Sequence, residues 1–372
     1  MSGLVEFHLD SATGPTLGTF ATGSTGGWQT WKTIPANISG ANNGKHDLVI
    51  VFKSGQPADF VNLNWFSFTG PNTIPSPTPT VTPTPTVVPT STVIPTPTVI
   101  PTPAPTTISA STPCGVKGQT TPAKWDHVVW IVMENKSYNE IVGSSTAPYT
   151  NSIINKCGLA TNLTATTHPS LPNYIAMTSG DTQGITDDAD PSQHPLNTPS
   201  IFSQLGTGQW RALNETMPAN CTLTNSGKYA VRHNPATYYT NIRTQCVAQD
   251  VPLNINQPDI SAPFTFITPN NDSNTHDTAV AYGDTWLNNF LPKIFTTNEY
   301  KAGKTLVVLT YDEGGADNRI PVVVMAPNIT SGTKSVTNYS HYSLLRTTEE
   351  LLNLPLLSNA QTATSMKTGF GL

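Results

Sequence analysis

His168, Ser170 and Asn173 stand within one short stretch, "THPSLPNYIAMTSG". A serine between Pro169 and Pro172, ahead of an apolar run, starts either a plain helical turn or a helix that presents a nucleophile. Pro172 suits a first helical turn and Gly180 suits a C-terminal stop, so the spacing predicts a helix beginning at Ser170. Free N–H groups and the positive dipole end at that point favour an anion. The Asn173 amide is placed to donate to a phosphoryl oxygen. Other apolar runs end in polar groups of matching chemistry. "HVVWIVM" leads into Glu134-Asn135, "TLVVLTY" into Asp312-Glu313-Gly314-Gly315, and "FTFITP" into "NNDSNTHD" with Asp272 and His276. His341 opens "HYSLLRTTEELL". Carboxylates from separate segments, joined by imidazoles and a poised serine, suit a divalent cation. Such a cation favours a serine alkoxide and neutralises a phosphate.

Residues 120–372 contain the elements that must carry these groups. "HVVWIVME", "FTFITP", "TLVVLTYDE" and "IPVVVMAP" are β-branched apolar runs of the kind buried on both faces of a parallel sheet. "SLLRTTEELLNL" has helical spacing, with Glu349 and Glu350 read as a solvated face. Alternating strands and helices predict an α/β domain with a central sheet. Ligands in such sheets bind beyond the carboxyl ends of the strands.

Two further zones precede it. Residues 71–113 hold 13 of the 33 prolines and no charged residue. Proline removes donors and fixes φ, so this stretch is neither helix nor sheet; as a polyproline-like spacer it reaches up to ~130 Å at ~3.1 Å per residue. Residues 1–70 contain "LVEFHLD", "GWQTWKTIPANI", "HDLVIVFK" and "VNLNWFSFTG", which read as antiparallel strands between Gly/Asn turns. The expected domains are therefore 1–70, a linker over 71–113, and 114–372.

The chain has 372 residues, a formal net charge of -5 and only 11% charged residues. Nothing in that charge favours nucleic acid, and no run approaches the ~20 apolar residues of a membrane span. The four cysteines, Cys114, Cys157, Cys221 and Cys246, include no CxxC pair. An even count in a Thr/Asn-rich chain predicts two disulfides and an oxidising, extracellular compartment. Of three possible pairings, sequence proximity favours Cys114–Cys157 and Cys221–Cys246. "MSGLVEFHLDSATG" has no signal peptide, so the expectation is that a leader lies upstream.

The segments "HVVWIVMENKSYNEIVG", "THPSLPNYIAMTSG", "YAVRHNPATYY", "FTFITPNNDSNTHD", "TLVVLTYDEGG" and "HYSLLRTTEELLNLP" resemble the bacterial phosphoesterase family of acid phosphatases and phospholipases C, within the alkaline phosphatase superfamily. The likeness runs over about 124–357. It implies an alkaline-phosphatase-like α/β fold, a mostly parallel sheet with helices on both faces. It implies Ser170 as the phosphorylated nucleophile, with Glu134, Asn135, Asp312 and Glu313 as metal ligands. His168, His233, His276 and His341 would line the phosphate pocket or hold a second ion, with His276 or His341 protonating the leaving oxygen. Where relatives have "NDxHD" this chain has "NDSNTHD", so Asp272 and Asp277 both stay candidates. Glu313 beside Asp312, where two-metal relatives have Asp-His, argues for one divalent ion rather than two.

"LDSATGPTLGTFATGSTGGWQTWKTI" with "GKHDLVIVFKSG" and "VNLNWFSF" resembles the C-terminal half of a family 6 carbohydrate-binding module, a β-sandwich of jelly-roll type. That resemblance places a sugar platform at Trp28 and a polar contact at Asn64. The combined expectation is a secreted, metal-dependent phosphomonoesterase working through a phosphoserine and attached to a polysaccharide-binding module. A phospholipase C-type phosphodiesterase is the alternative; a carbohydrate-binding surface protein with an inactive esterase scaffold is the other.

Overall fold

The computed structural model describes residues 3–23, 34, 38, 46–54, 61 and 108–372. The chain divides into two compact units, Met1–Pro97 and Thr98–Leu372. In the first, β1 (Gly3–Leu9) lies between β2 (Thr16–Thr22) and β3 (Leu48–Lys53), antiparallel to both. Val5, Phe7, Leu9 and Leu17 form its apolar cluster. Of the four expected strands, "LVEFHLD" and "HDLVIVFK" are present; "GWQTWKTIPANI" and "VNLNWFSFTG" lie, but for single residues, outside the described residues. Trp28 and Asn64 lie outside the described residues.

The second unit is built on an eight-stranded sheet in the order β11-β5-β10-β9-β4-β8-β6-β7. The strands are β4 (His127–Met133), β5 (Gly158–Thr164), β6 (Trp210–Asn214), β7 (Asp250–Pro252), β8 (Phe264–Thr268), β9 (Thr305–Tyr311), β10 (Arg319–Met325) and β11 (Thr333–Ser335). All five residues of β8 and all seven of β9 are buried, as continuous apolar runs require when both faces are covered. β10, "RIPVVVM", looks like its neighbours in composition, yet it runs antiparallel to β5 and β9. A hairpin after β9 returns the chain beside it, and composition does not encode direction. Every other pairing is parallel, so the carboxyl ends of β4, β5, β8 and β9 share one edge.

Helix Ser170–Ser179 starts where its spacing predicts and ends at Gly180, whose φ of 79° is the left-handed stop. It packs against helix His341–Leu351, and Pro148–Lys156 packs against Val280–Phe295. The disulfides are Cys114–Cys157 and Cys221–Cys246, as proximity suggests. Glu349 corrects the reading of a solvated face. It is fully buried and accepts from Leu357 N at 3.1 Å, and burial pushes its carboxyl up to about 8. Glu350 stays near the surface, paired with Arg346 at 2.8 Å. One helix therefore has neighbouring acids in opposite environments, which a helical repeat of leucines could not announce.

Candidate active site

The parallel register assembles the site. Met133 pairs with Tyr311 across β4 and β9, so Glu134 and Asp312 emerge side by side. Asp312 N donates to Met133 O at 3.0 Å, and Asn135 N donates to Asp312 Oδ1 at 3.0 Å. β5 delivers the His168–Ser170 segment to the same edge, where Asn318 Nδ2 donates to Thr167 O at 3.1 Å. Ser170 is 3% exposed, and its Oγ donates to Glu134 Oε2 at 3.1 Å. The Asn173 Oδ1 accepts from Thr167 N at 3.0 Å, and its Nδ2 donates to Thr167 O at 2.8 Å and Pro169 O at 3.0 Å, with Glu313 Oε2 at 3.4 Å; the amide expected to face a phosphoryl oxygen instead ties down the turn ahead of Ser170. Glu313 Oε2 also accepts from His168 Nδ1 at 2.8 Å.

Three acids therefore crowd one edge. Burial, then the Asp312 charge, pushes Glu134 well above the usual carboxylate range. Burial raises Asp312, and burial with Asp312 and Asp188 nearby lifts Glu313 to about 8. Asp312 Oδ2 is buried with no hydrogen-bond partner. A buried carboxylate oxygen without a donor, beside a second buried carboxyl, calls for a positive charge. The oxygen-rich set of Glu134, Asn135, Asp312 and Glu313 fits a hard divalent cation.

His233 and His276 approach the same acid from β8's side. Ligand atoms of Glu134, His233 and His276 lie within 4.8 Å of one another. His233 Nε2 comes to 3.3 Å from Glu134 Oε1 without hydrogen-bond alignment. Burial, ahead of the Arg232 charge, pushes His233 well below the usual imidazole range.

The longer "NDSNTHD" loop puts Asp277, not Asp272, against the histidine: His276 Nδ1 donates to Asp277 Oδ1 at 2.7 Å. Asp272 instead pairs with Lys228 at 2.8 Å. His341 has both nitrogens engaged away from Ser170, with Tyr311 O at 3.4 Å and Thr166 Oγ1 at 3.3 Å. Burial holds it down at about 4, so it braces the end of β9 as a neutral ring.

Some residues of the site escaped sequence reasoning. Tyr174 donates to Glu134 Oε1 and stacks on His233 with ring centroids 5.4 Å apart. It sits four residues after Ser170, one helical turn on the same face, and that spacing was its available signal. Asp188 accepts from Leu171 N at 2.9 Å, and Arg232 Nη2 donates to His276 Nε2 at 3.0 Å.

Thr275 has a φ of 77°, a conformation that β-branched residues rarely adopt. Its hydroxyl donates to Glu134 O at 2.9 Å, and its carbonyl accepts from Lys136 Nζ at 3.0 Å. Gly283 makes room for it, because a Cβ there would stand 2.3 Å from Thr275 Cγ2. Gly283→Ala normally favours a helix by about 1 kcal/mol, but overpacking of about 1–3 kcal/mol outweighs that gain. The expected result is a lower Tm together with a lower kcat, since the displaced loop anchors Glu134; thermal unfolding and steady-state kinetics check it.

The sequence profile of the phosphoesterase family matches residues 144–355. The chain belongs to the phosphoesterase family. This chain is a hydrolase acting on phosphoric ester bonds. Among its phosphoesterase relatives is a phosphatidylinositol-3-phosphatase of Mycobacterium tuberculosis, 34% identical over 244 residues, 64% of this chain and 80% of that one. A probable acid phosphatase of Kluyveromyces lactis is 30% identical over 250 residues, 61% of this chain and 58% of that one. A solved alkaline phosphatase superfamily protein from Vibrio parahaemolyticus aligns over 65% of this chain and 71% of its own, at 13% identity and a TM-score of 0.46. Residues 1–70 match the carbohydrate-binding module of family 6. Among the described residues no helix is long and apolar enough to cross a membrane.

Proposed function

We propose that the chain is an extracellular, metal-dependent phosphomonoesterase of acid-phosphatase type. Ser170 is its nucleophile, and residues 1–70 hold the enzyme on polysaccharide. One observation carries this reading: Ser170 Oγ stands at a helix N-terminus, 3.1 Å from the buried Glu134, which is set beside Asp312 with its unpartnered Oδ2. Glu134, Asn135, Asp312 and Glu313 are the residues that would hold a single divalent cation, which supplies charge neutralisation and lowers the proton affinity of Ser170. The domains are taken as 1–70, a linker over 71–113 and 114–372.

Ser170 Oγ gives its proton to Glu134 Oε2, 3.1 Å away, and attacks phosphorus in line with the leaving oxygen; the P–O bond to the alcohol breaks, and a phosphoserine forms. Water then attacks the phosphoserine, inorganic phosphate leaves, and Ser170 recovers its proton. Asn173 orients the segment through Thr167 and Glu313. His276 and His341 are poor proton donors to the leaving oxygen, because His276 Nε2 accepts from Arg232 and His341 is bonded to Tyr311 and Thr166. His168 takes that role. Its side chain is 51% exposed, and Glu313 orients it through Nδ1, as a carboxylate orients a catalytic imidazole elsewhere.

His168→Gln is expected to reduce hydrolysis of an alkyl phosphate such as glycerol phosphate by about 10²–10³-fold. On 4-nitrophenyl phosphate, whose leaving group needs little protonation, the loss is expected to stay within about tenfold. Equal losses on both substrates would remove His168 as the acid. The metal reading is checked on the full chain: activity lost with chelator and restored by added divalent ions is expected, and undiminished activity after chelation refutes it. Binding of the full chain to insoluble xylan or cellulose tests the module.

A further inference from the structure

Arg232 lies between two parts of the site without being fully used by either. Its Nη2 donates to His276 Nε2 at 3.0 Å. Its Nε is buried and has no hydrogen-bond partner. The carboxylate facing that Nε, Asp188 Oδ2, stands 3.8 Å away, beyond hydrogen-bond reach. The other oxygen of Asp188 accepts from Leu171 N, the amide next to Ser170, at 2.9 Å. The guanidinium is thus placed between the start of the Ser170 helix and the Glu134–His233–His276 cluster, with donor capacity left over.

A guanidinium has five N–H donors and no acceptor. His276 must therefore offer its Nε2 lone pair to Arg232, and its Nδ1–H goes to Asp277 at 2.7 Å. The role of His276 in this arrangement is to aim the guanidinium. The segment that bears Arg232 and His233 is closed by the Cys221–Cys246 disulfide, which restrains it.

We propose that Arg232 is a specificity-determining residue: its guanidinium takes two of the three non-bridging oxygens of a phosphate monoester dianion, the third facing Ser170's acidic neighbours, and so sets the preference for monoesters over diesters. The physical basis is geometric as well as electrostatic. A forked cation matches two oxygens of a phosphate. A diester has one of those oxygens capped by carbon and carries a single charge, so it gains much less from the fork. The inference rests on the phosphoesterase reading of the Ser170 site and adds the substrate class that the site selects.

The test compares the full chain with Arg232→Met and Arg232→Lys on two esters that share a leaving group, 4-nitrophenyl phosphate and methyl 4-nitrophenyl phosphate. Arg232→Met is expected to lower kcat/KM for the monoester by about 10²–10³-fold while the diester changes by less than about tenfold. Arg232→Lys keeps the charge and loses the fork, so the monoester-to-diester ratio falls by about tenfold; this variant carries the same test should the methionine variant not fold. A full chain that hydrolyses neither ester overturns the phosphoesterase reading itself. A full chain active on monoesters, with variants that lose equally on both esters, overturns the Arg232 inference alone.

Discussion

Ser170→Ala lowers kcat/KM for 4-nitrophenyl phosphate by about 10⁴-fold or more, the scale on which removal of a nucleophile acts. The hydroxyl donates to Glu134 Oε2 at 3.1 Å and is nearly buried, at 3% exposure. Alanine at the helix start leaves the helix packing unchanged and removes a hydrogen bond to a buried acid, an effect of about 1–3 kcal/mol on stability. Folding and metal content should therefore survive while turnover does not. Acid quench of the wild type during turnover of radiolabelled substrate should trap label on the chain, and the alanine variant should trap none. Activity retained within tenfold would remove Ser170 as the nucleophile and the phosphoserine with it.

Asp312→Asn separates activity from stability. Asp312 is fully buried beside the fully buried Glu134; Oδ1 accepts from Asn135 N at 3.0 Å, and Oδ2 has no partner. Asparagine keeps the acceptor at Oδ1 and puts a donor where the orphan oxygen was. Activity is expected to fall by about 10²–10³-fold, because a charge that the reaction depends on is gone. The chelated variant, by contrast, is expected to be more stable than the chelated wild type near pH 8, by about 1–3 kcal/mol.

The pH dependence gives a second readout. Burial raises Glu134 and Asp312, and Glu313 stands at about 8. Between the unfolded carboxylate value and these raised values the native state binds more protons than the unfolded state, so stability falls as pH rises. The Tm of the chelated wild type should climb as pH drops from about 8 towards about 5, and the climb should be smaller in Asp312→Asn. A chelated wild type whose Tm is flat across that window would contradict the crowding of acids at this edge.

Strand ends were legible because apolar β-branched runs stop at Glu134, Asp312 and the loop holding His276, and a buried strand must end where polar groups begin. The start of the Ser170 helix was legible from local chemistry, with proline in the first turn and Gly180 at the stop. Pairing of Cys221 with Cys246 followed from proximity, since 25 residues close a short loop. The direction of β10 was not legible, because a buried strand has the same composition whichever way it runs. The burial of Glu349 was not legible either, because a leucine repeat describes one face and says nothing of what packs over the rest.

The sequence by itself determined which chemical groups are available and where each element carrying them begins and ends, because caps, prolines and strand termini act within a few residues. Only the tertiary structure decided which groups meet. Register across β4 and β9 sets Glu134 beside Asp312, and helical rise brings Tyr174 onto Glu134. The path of the 270–278 loop hands His276 to Asp277 and Arg232 while turning Asp272 out to Lys228. Those choices depend on contacts between residues far apart in the chain, formed only when the sheet closes its core.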